Sequence, residues 1–302
     1  MKTNKLFNVF LLTITTIIWG SAFIFQDIGM EYLEPLSFNV ARCLICTIFL
    51  FALSFLLTKL NKKDTTQVNK TNNKYLIMGG LVCGIFLGAA MATQQIGIKF
   101  EGAGRSGFIT SLYIIFVPLI GLFFRQKVSP FIILAIVLAV LGLWLINYQE
   151  GSLKFSIGAI CLLGCAIFYA MQILAVGHFS PKCDSIKLTA LQFLFGGIFQ
   201  IPFMLIFENP TIVNIIKGIW PILYCGILSS GVAFTIQVYT QKYIEPTIAS
   251  MIMSLESVFS IIFASIILQE RYSSYEIIGC ILIFLGVIIT QLPFKKIIKT
   301  KK

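Results

Sequence analysis

Met253-Ser254-Leu255-Glu256-Ser257-Val258-Phe259-Ser260-Ile261-Ile262-Phe263-Ala264-Ser265-Ile266-Ile267 lies in a stretch long and apolar enough to be a membrane helix, yet it carries one carboxylate at its middle. An ionised group in hydrocarbon costs roughly 2.5 to 3.5 kcal/mol on insertion scales, so Glu256 is expected to face protein or a water-filled cavity rather than lipid. The same stretch echoes an earlier one. At an offset of 143 residues it aligns with Thr110-Ser111-Leu112-Tyr113, and the offset holds without a gap from Gly88 to Gln126. Identities along it include Gly88/Gly231, Ala90/Ala233, Gln94/Gln237, Lys99/Lys242, Ser111/Ser254, Leu112/Leu255 and Phe116/Phe259. Apolar residues match by chance, but paired glutamines and lysines do so rarely, and the pattern reads as an internal duplication.

The front of each half aligns at an offset of 150, through Leu12/Leu162, Ile17/Ile167, Leu44/Leu194, Ile48/Ile198 and Phe49/Phe199. A loop seven residues shorter in the second half accounts for the change from 150 to 143. Apolar runs fall at about 6–25, 35–57, 75–98, 103–124 and 129–148, then at 155–177, 183–206, 215–241, 246–267 and 272–293. Each is near the roughly 20 residues that span a bilayer. Five crossings per copy is an odd number, so the second copy is inverted relative to the first. The expected fold is therefore an all-α integral membrane protein of ten transmembrane helices, in two inverted five-helix repeats over 1–150 and 151–302 around a central cavity.

Bulk composition agrees. With 302 residues, 58% hydrophobic and 12% charged, and a mean hydropathy of +0.92, the chain has too few polar residues to cover a soluble surface. Its net charge of +11 comes from basic residues dispersed between apolar runs, which argues against nucleic acid as a partner. Most of them, including Lys59, Lys62, Lys63, Lys70 and Lys299, fall on one side if both termini are cytoplasmic, and this sets the expected orientation in the plasma membrane. The opening run follows Lys2 and Lys5 but is too long for a secretory signal and lacks a small-x-small cleavage site, so it reads as a retained helix.

Cys43-x-x-Cys46 has no second pair at metal spacing, and the cysteines read as packing residues. His178, the single histidine, reads as a solvated segment-end residue. No HExxH, phosphate loop or Ser/His/Asp set is present, so the chain reads as a non-enzyme without cofactor or metal.

Trp19-Gly20, Pro35 with Arg42, Gln94-Gln95-Ile96-Gly97, Gly107-Phe108-Ile109-Thr110-Ser111-Leu112-Tyr113 and Val117-Pro118-Leu119 stand in order through the first half. Leu255-Glu256-Ser257-Val258-Phe259 and Leu268-Gln269-Glu270-Arg271 follow in the second. In that order, within a duplicated ten-helix chain, they resemble the EamA-like branch of the drug/metabolite transporter superfamily. The resemblance implies two inverted repeats around a cavity, and movement of small metabolites, often export of amino acids. Arg125-Gln126-Lys127 departs from the Gly-Glu-Arg type of ending at the fourth helix, and Leu268-Gln269 replaces the common Gly before Glu270.

Candidate substrate-binding residues are Trp19, Arg42, Gln94, Gln95, Tyr113, Gln172, Gln237 and Glu256. Arg42 and Glu256 are the two charges well inside spans; each is a candidate cavity group, or alternatively a structural ion-pair member, and Arg42 is also within snorkelling reach of the interface. Unpaired amides in hydrocarbon cost several kcal/mol, so the glutamines need partners, either substrate or neighbouring helices. Adjacent Gln94 and Gln95 cannot both point one way. Trp19, Tyr113 and Tyr239 are candidates to wall a cavity, of which Trp19 and Tyr113 fit the family pattern. Gly80, Gly84, Gly88 and Ala92 place a small-residue stripe on one face for close helix packing.

The function expected is transport of a small-molecule substrate through the lipid bilayer, with a proton as a candidate coupling ion. Glu256 would sense a proton or cationic group and Arg42 would attract a carboxylate. A membrane-embedded enzyme would need a second catalytic group at the depth of Glu256, and a non-transporting accessory protein would have a plugged centre.

Overall fold

The computed structural model describes residues 5–60, 73–123, 130–146, 156–267, 269 and 273–291. The lysine-rich connection 61–72, the Arg125-Gln126-Lys127 ending, Leu268, Glu270 and Arg271, and the terminal lysines lie outside the described residues.

Long apolar runs without helix breakers leave the backbone only its own groups to bond to in hydrocarbon, so they form helices. In chain order these are α1 (Lys5–Gly29), α2 (Pro35–Leu60), α3 (Asn73–Thr110), α4 (Tyr113–Phe123) and α5 (Pro130–Ile146). The second half gives α6 (Ile157–Phe179), α7 (Ser185–Phe207), α8 (Ile219–Thr240), α9 (Pro246–Ile267) and α10 (Ser274–Gln291). Seven of these, all but α4, α5 and α10, are long and apolar enough to cross a membrane as described, and those three are shorter apolar helices.

Gly102 divides α3. Its φ of 74° and ψ of 176° lie where only glycine is at ease, so the chain turns there, and residues 103–110 lead into α4. The expected boundary between 98 and 103 thus has a one-residue cause. The eighth span begins later than its expected 215, because Thr211 caps a separate short helix, Ile212–Lys217, which stops at Gly218. The first runs past its expected end at Phe25 to Gly29, which brings Gln26 inside the helix.

The second repeat is inverted. Glu208 follows the last residue of α7, and its carboxylate accepts from Leu36 N (2.8 Å), Ser37 N (2.7 Å) and Ser37 Oγ (2.6 Å) in the first turn of α2. Midway along, a Cβ on Gly197 would lie 3.0 Å from that of Cys43. These repeat-equivalent helices therefore run antiparallel, as a twofold axis in the membrane plane requires.

Packing across the halves obeys the same exchange. The small-residue stripe of α3 lies on α7: a Cβ on Gly88 would sit 2.7 Å from the Gly196 carbonyl oxygen and 3.1 Å from the Phe199 ring. Its equivalent Gly231, in α8, would meet the ring of Phe49, the equivalent of Phe199, at 2.8 Å. The stripe is a structural seam that admits two backbones at close range.

Two departures from regular helix flank the centre. Ser111 and Ser254, equivalent in the repeats, each sit in a tight turn: Ile114 N bonds Ser111 O (3.1 Å) and Ser257 N bonds Ser254 O (3.2 Å). Each turn lies just before the equivalent pair Tyr113 and Glu256. Residues Tyr224–Ala233 of α8 instead form wide turns of the π type, whereas their counterparts 81–90 in α3 are regular α-helix.

Candidate functional site

A chamber lies where α1, α2, α3, α4, α6, α8 and α9 converge. Its wall includes Trp19, Gln26, Arg42, Gln94, Tyr113, Tyr169, Gln172, Gln237 and Glu256, with Phe23, Ile173, Phe234 and Met253 as apolar patches. The cavity volume is about 30 Å³.

The wall is built from equivalent positions of the two repeats: Trp19 with Tyr169, Ala22 with Gln172, Phe23 with Ile173, Gln94 with Gln237, and Tyr113 with Glu256. The chamber therefore straddles the pseudo-twofold axis.

Arg42 is 2% exposed and Glu256 5%, yet among the described residues neither has an ion-pair partner. Arg42 donates from Nη1 to Gln26 Oε1 (2.6 Å) and from Nε to Ser230 Oγ (3.4 Å). A guanidinium has five N–H donors, so three remain. Nη2 makes neither of these bonds, and Arg42 lines the chamber. Glu256 stands in the first turn of the half-helix Leu255–Ile267, where the backbone N–H groups favour negative charge. The Tyr113 hydroxyl lies beside it, fully buried.

The glutamines part company. Gln94 accepts from Tyr169 Oη (3.2 Å) and donates to Thr110 Oγ1 (3.4 Å). Gln237 donates to Gln172 Oε1 (3.3 Å) and Gln241 Oε1 (3.1 Å), while Gln172 donates to Gln192 Oε1 (3.1 Å). Gln237 Oε1 and Gln192 Nε2 are buried without a partner. Gln95 is the one candidate outside the chamber wall; it faces α1 and donates to the main-chain oxygen of Gln26 at 3.1 Å. Adjacent residues on a helix diverge by about 100°, which is why only one of the pair reaches the cavity.

Trp19 donates from its indole N–H to Ser229 O (3.2 Å), within the wide-turn stretch of α8. Tyr239 is outside the wall, packed edge-on against Tyr243. Cys43, Cys46, Cys83, Cys165, Cys183 and Cys225 are buried free thiols, Cys161 is a half-buried one, and His178 is exposed. Tyr169 and Gln26 were not among the candidates: the 150 offset from Trp19 leads to Tyr169, and Gln26 lay beyond the expected end of the first span.

The sequence matches the family described as EamA-like transporters twice, over residues 6–148 and again over 156–292. It is 28% identical over 282 residues to an uncharacterized transporter of Archaeoglobus fulgidus, covering 93% of this chain and 84% of that protein. It is 24% identical over 289 residues to the uncharacterized transporter YoaV of Bacillus subtilis, covering 93% and 95%. A crystal structure at 16% identity shares the fold, with a TM-score of 0.73 over 96% of this chain and 98% of the other.

Proposed function

We propose that this chain, which belongs to the EamA-like transporter family, exports amino acids or related small metabolites across the plasma membrane by alternating access, with both termini cytoplasmic. The observation that carries the reading is the pair of buried ionisable groups, Arg42 and Glu256, in one chamber between the two repeats, with no ion pair to either among the described residues. A buried charge without a partner is costly, so each is placed to gain from a ligand of opposite sign. Arg42 receives the carboxylate, Glu256 a cationic group or a coupling proton, and Gln94, Gln172 and Gln237 orient the substrate. Trp19, Tyr113 and the apolar wall take its less polar part.

The free space is too small for such a solute, so loading requires the halves 1–150 and 151–302 to move apart on one face. Exchange of conformation between inverted repeats supplies that movement and opens the chamber first to one side and then to the other. The test is uptake and efflux in proteoliposomes across a panel of amino acids, nucleosides and cationic drugs, with and without a pH gradient. Saturable amino-acid flux that responds to the gradient supports the reading; amino-acid flux no faster than in protein-free liposomes overturns it.

A further inference from the structure

Arg42 is held by a chain of contacts that exists in only one half of the molecule. Gln95 Nε2 donates to the main-chain oxygen of Gln26 (3.1 Å), and Gln26 Oε1 accepts from Arg42 Nη1 (2.6 Å). Gln26 lies in the last turn of α1, where carbonyls have no partner further along the helix, so Gln95 caps that end from a neighbouring helix. The Gln26 amide also anchors itself by donating to Ala22 O (3.3 Å). The three side chains are all 4% exposed or less.

The duplication supplies an internal control. The equivalents of Gln26 and Gln95, at offsets of 150 and 143, are Val176 and Val238, and the equivalent of Arg42 is Gln192. Val176 and Val238 belong to one buried apolar cluster. The Val176 main-chain oxygen accepts from Ser180 N–H, so the second half needs no amide at 238 to close that helix end and none at 176 to hold a charge. In the first half Gln95 closes the end of α1 and the Gln26 side chain meets Arg42, so the polar pair serves both the helix end and the charge.

We propose that Gln95 and Gln26 are positioning residues that orient the Arg42 guanidinium in the chamber and so set affinity for the anionic group of the substrate. The second clause rests on the amino-acid reading above; the first does not. Gln26 acts directly on Arg42, and Gln95 acts through Gln26 without touching the chamber.

The test uses full-length protein in nanodiscs and proteoliposomes with the variants Q26M, Q26E and Q95M. Nitrogen-15 resonances of the guanidinium in arginine-labelled protein, assigned by R42K, report whether Arg42 is restrained. Flux of phenylalanine and of phenethylamine, which lacks the carboxylate, reports affinity for the anionic group. Q26M and Q95M are expected to free the Arg42 resonance and raise KM for phenylalanine about tenfold; in Q95M, which is outside the chamber wall, kcat and the KM for phenethylamine change little. Q26E is expected to keep Arg42 restrained while weakening phenylalanine, because its carboxylate competes for the same guanidinium. An Arg42 resonance unchanged in both methionine variants overturns the relay, as does an equal rise in KM for both probes in Q95M. If the resonance responds as expected but the wild type moves no phenylalanine or related amino acid, the positioning of Arg42 stands and the amino-acid reading falls.

Discussion

Tyr113 and Glu256 stand 143 residues apart at the same place in the two repeats, and their side chains lie side by side in the chamber wall. Duplication made the site symmetric in position, and divergence then made it asymmetric in chemistry. A phenol faces a carboxylate here, just as Arg42 is answered by Gln192. An asymmetric solute, as proposed here, calls for a wall with one set of backbone positions and two sets of functional groups.

Glu256→Gln tests the acidic group. The amide keeps size and hydrogen-bonding capacity but removes the charge. Flux in proteoliposomes should fall about tenfold or more, equivalent to at least about 1.4 kcal/mol, or lose its response to a pH gradient. Thermal unfolding in detergent should move little. Wild-type flux with an intact pH response removes Glu256 from the mechanism.

Glycine at 88 tests the seam. Gly88→Val would drive a side chain into the backbone of Gly196, which cannot yield as a side-chain tip can. A loss of about 1–3 kcal/mol is expected, read as a lower thermal midpoint. Gly164→Ala is the control, since nothing lies within 4 Å of a Cβ there. Equal midpoints for both variants would contradict the close α3–α7 contact.

Glu208→Ala removes the cap on α2 and strands three donors. The expected cost is about 1–3 kcal/mol, with faster hydrogen exchange at Leu36 and Ser37. Exchange at those amides unchanged from wild type would refute the capping role.

Gly197→Cys places a thiol beside Cys43, a buried free cysteine whose Cβ would lie 3.0 Å away. Disulfides need Cβ atoms about 3.5–4.5 Å apart, a shift of about half an ångström or more. Oxidation should yield a 43–197 cross-linked peptide by mass spectrometry, and reduction should restore any flux lost. A folded variant that never cross-links would contradict the antiparallel α2–α7 seam.

What the sequence made legible follows from where physics penalises a residue. Arg42 and Glu256 stood out because charges inside apolar runs need a reason, and the repeated Gln94/Gln237 stood out because amides do too. The inversion followed from counting crossings. Tyr169 was hidden because an aromatic in an apolar helix is ordinary, although the offset from Trp19 leads to it. Gln26 was hidden by a helix end placed at Phe25, one residue too early. The direction of Gln95 depends on which helix faces it, a matter of packing rather than composition. Nothing in Ser111 or Ser254 announces a tight turn, since serine is common in membrane helices and bonds back along its own chain; in both cases the hydroxyl does so.

The wide turns of Tyr224–Ala233 have no counterpart in residues 81–90. Were the halves identical, swapping their shapes would regenerate the same molecule facing the opposite way, and the two orientations would be isoenergetic. With this irregularity on one side only, the swap yields a different object. Under the proposed alternating access, inward and outward states would sit at unequal depth, and the empty carrier would have a preferred resting face before any solute or gradient acts on it.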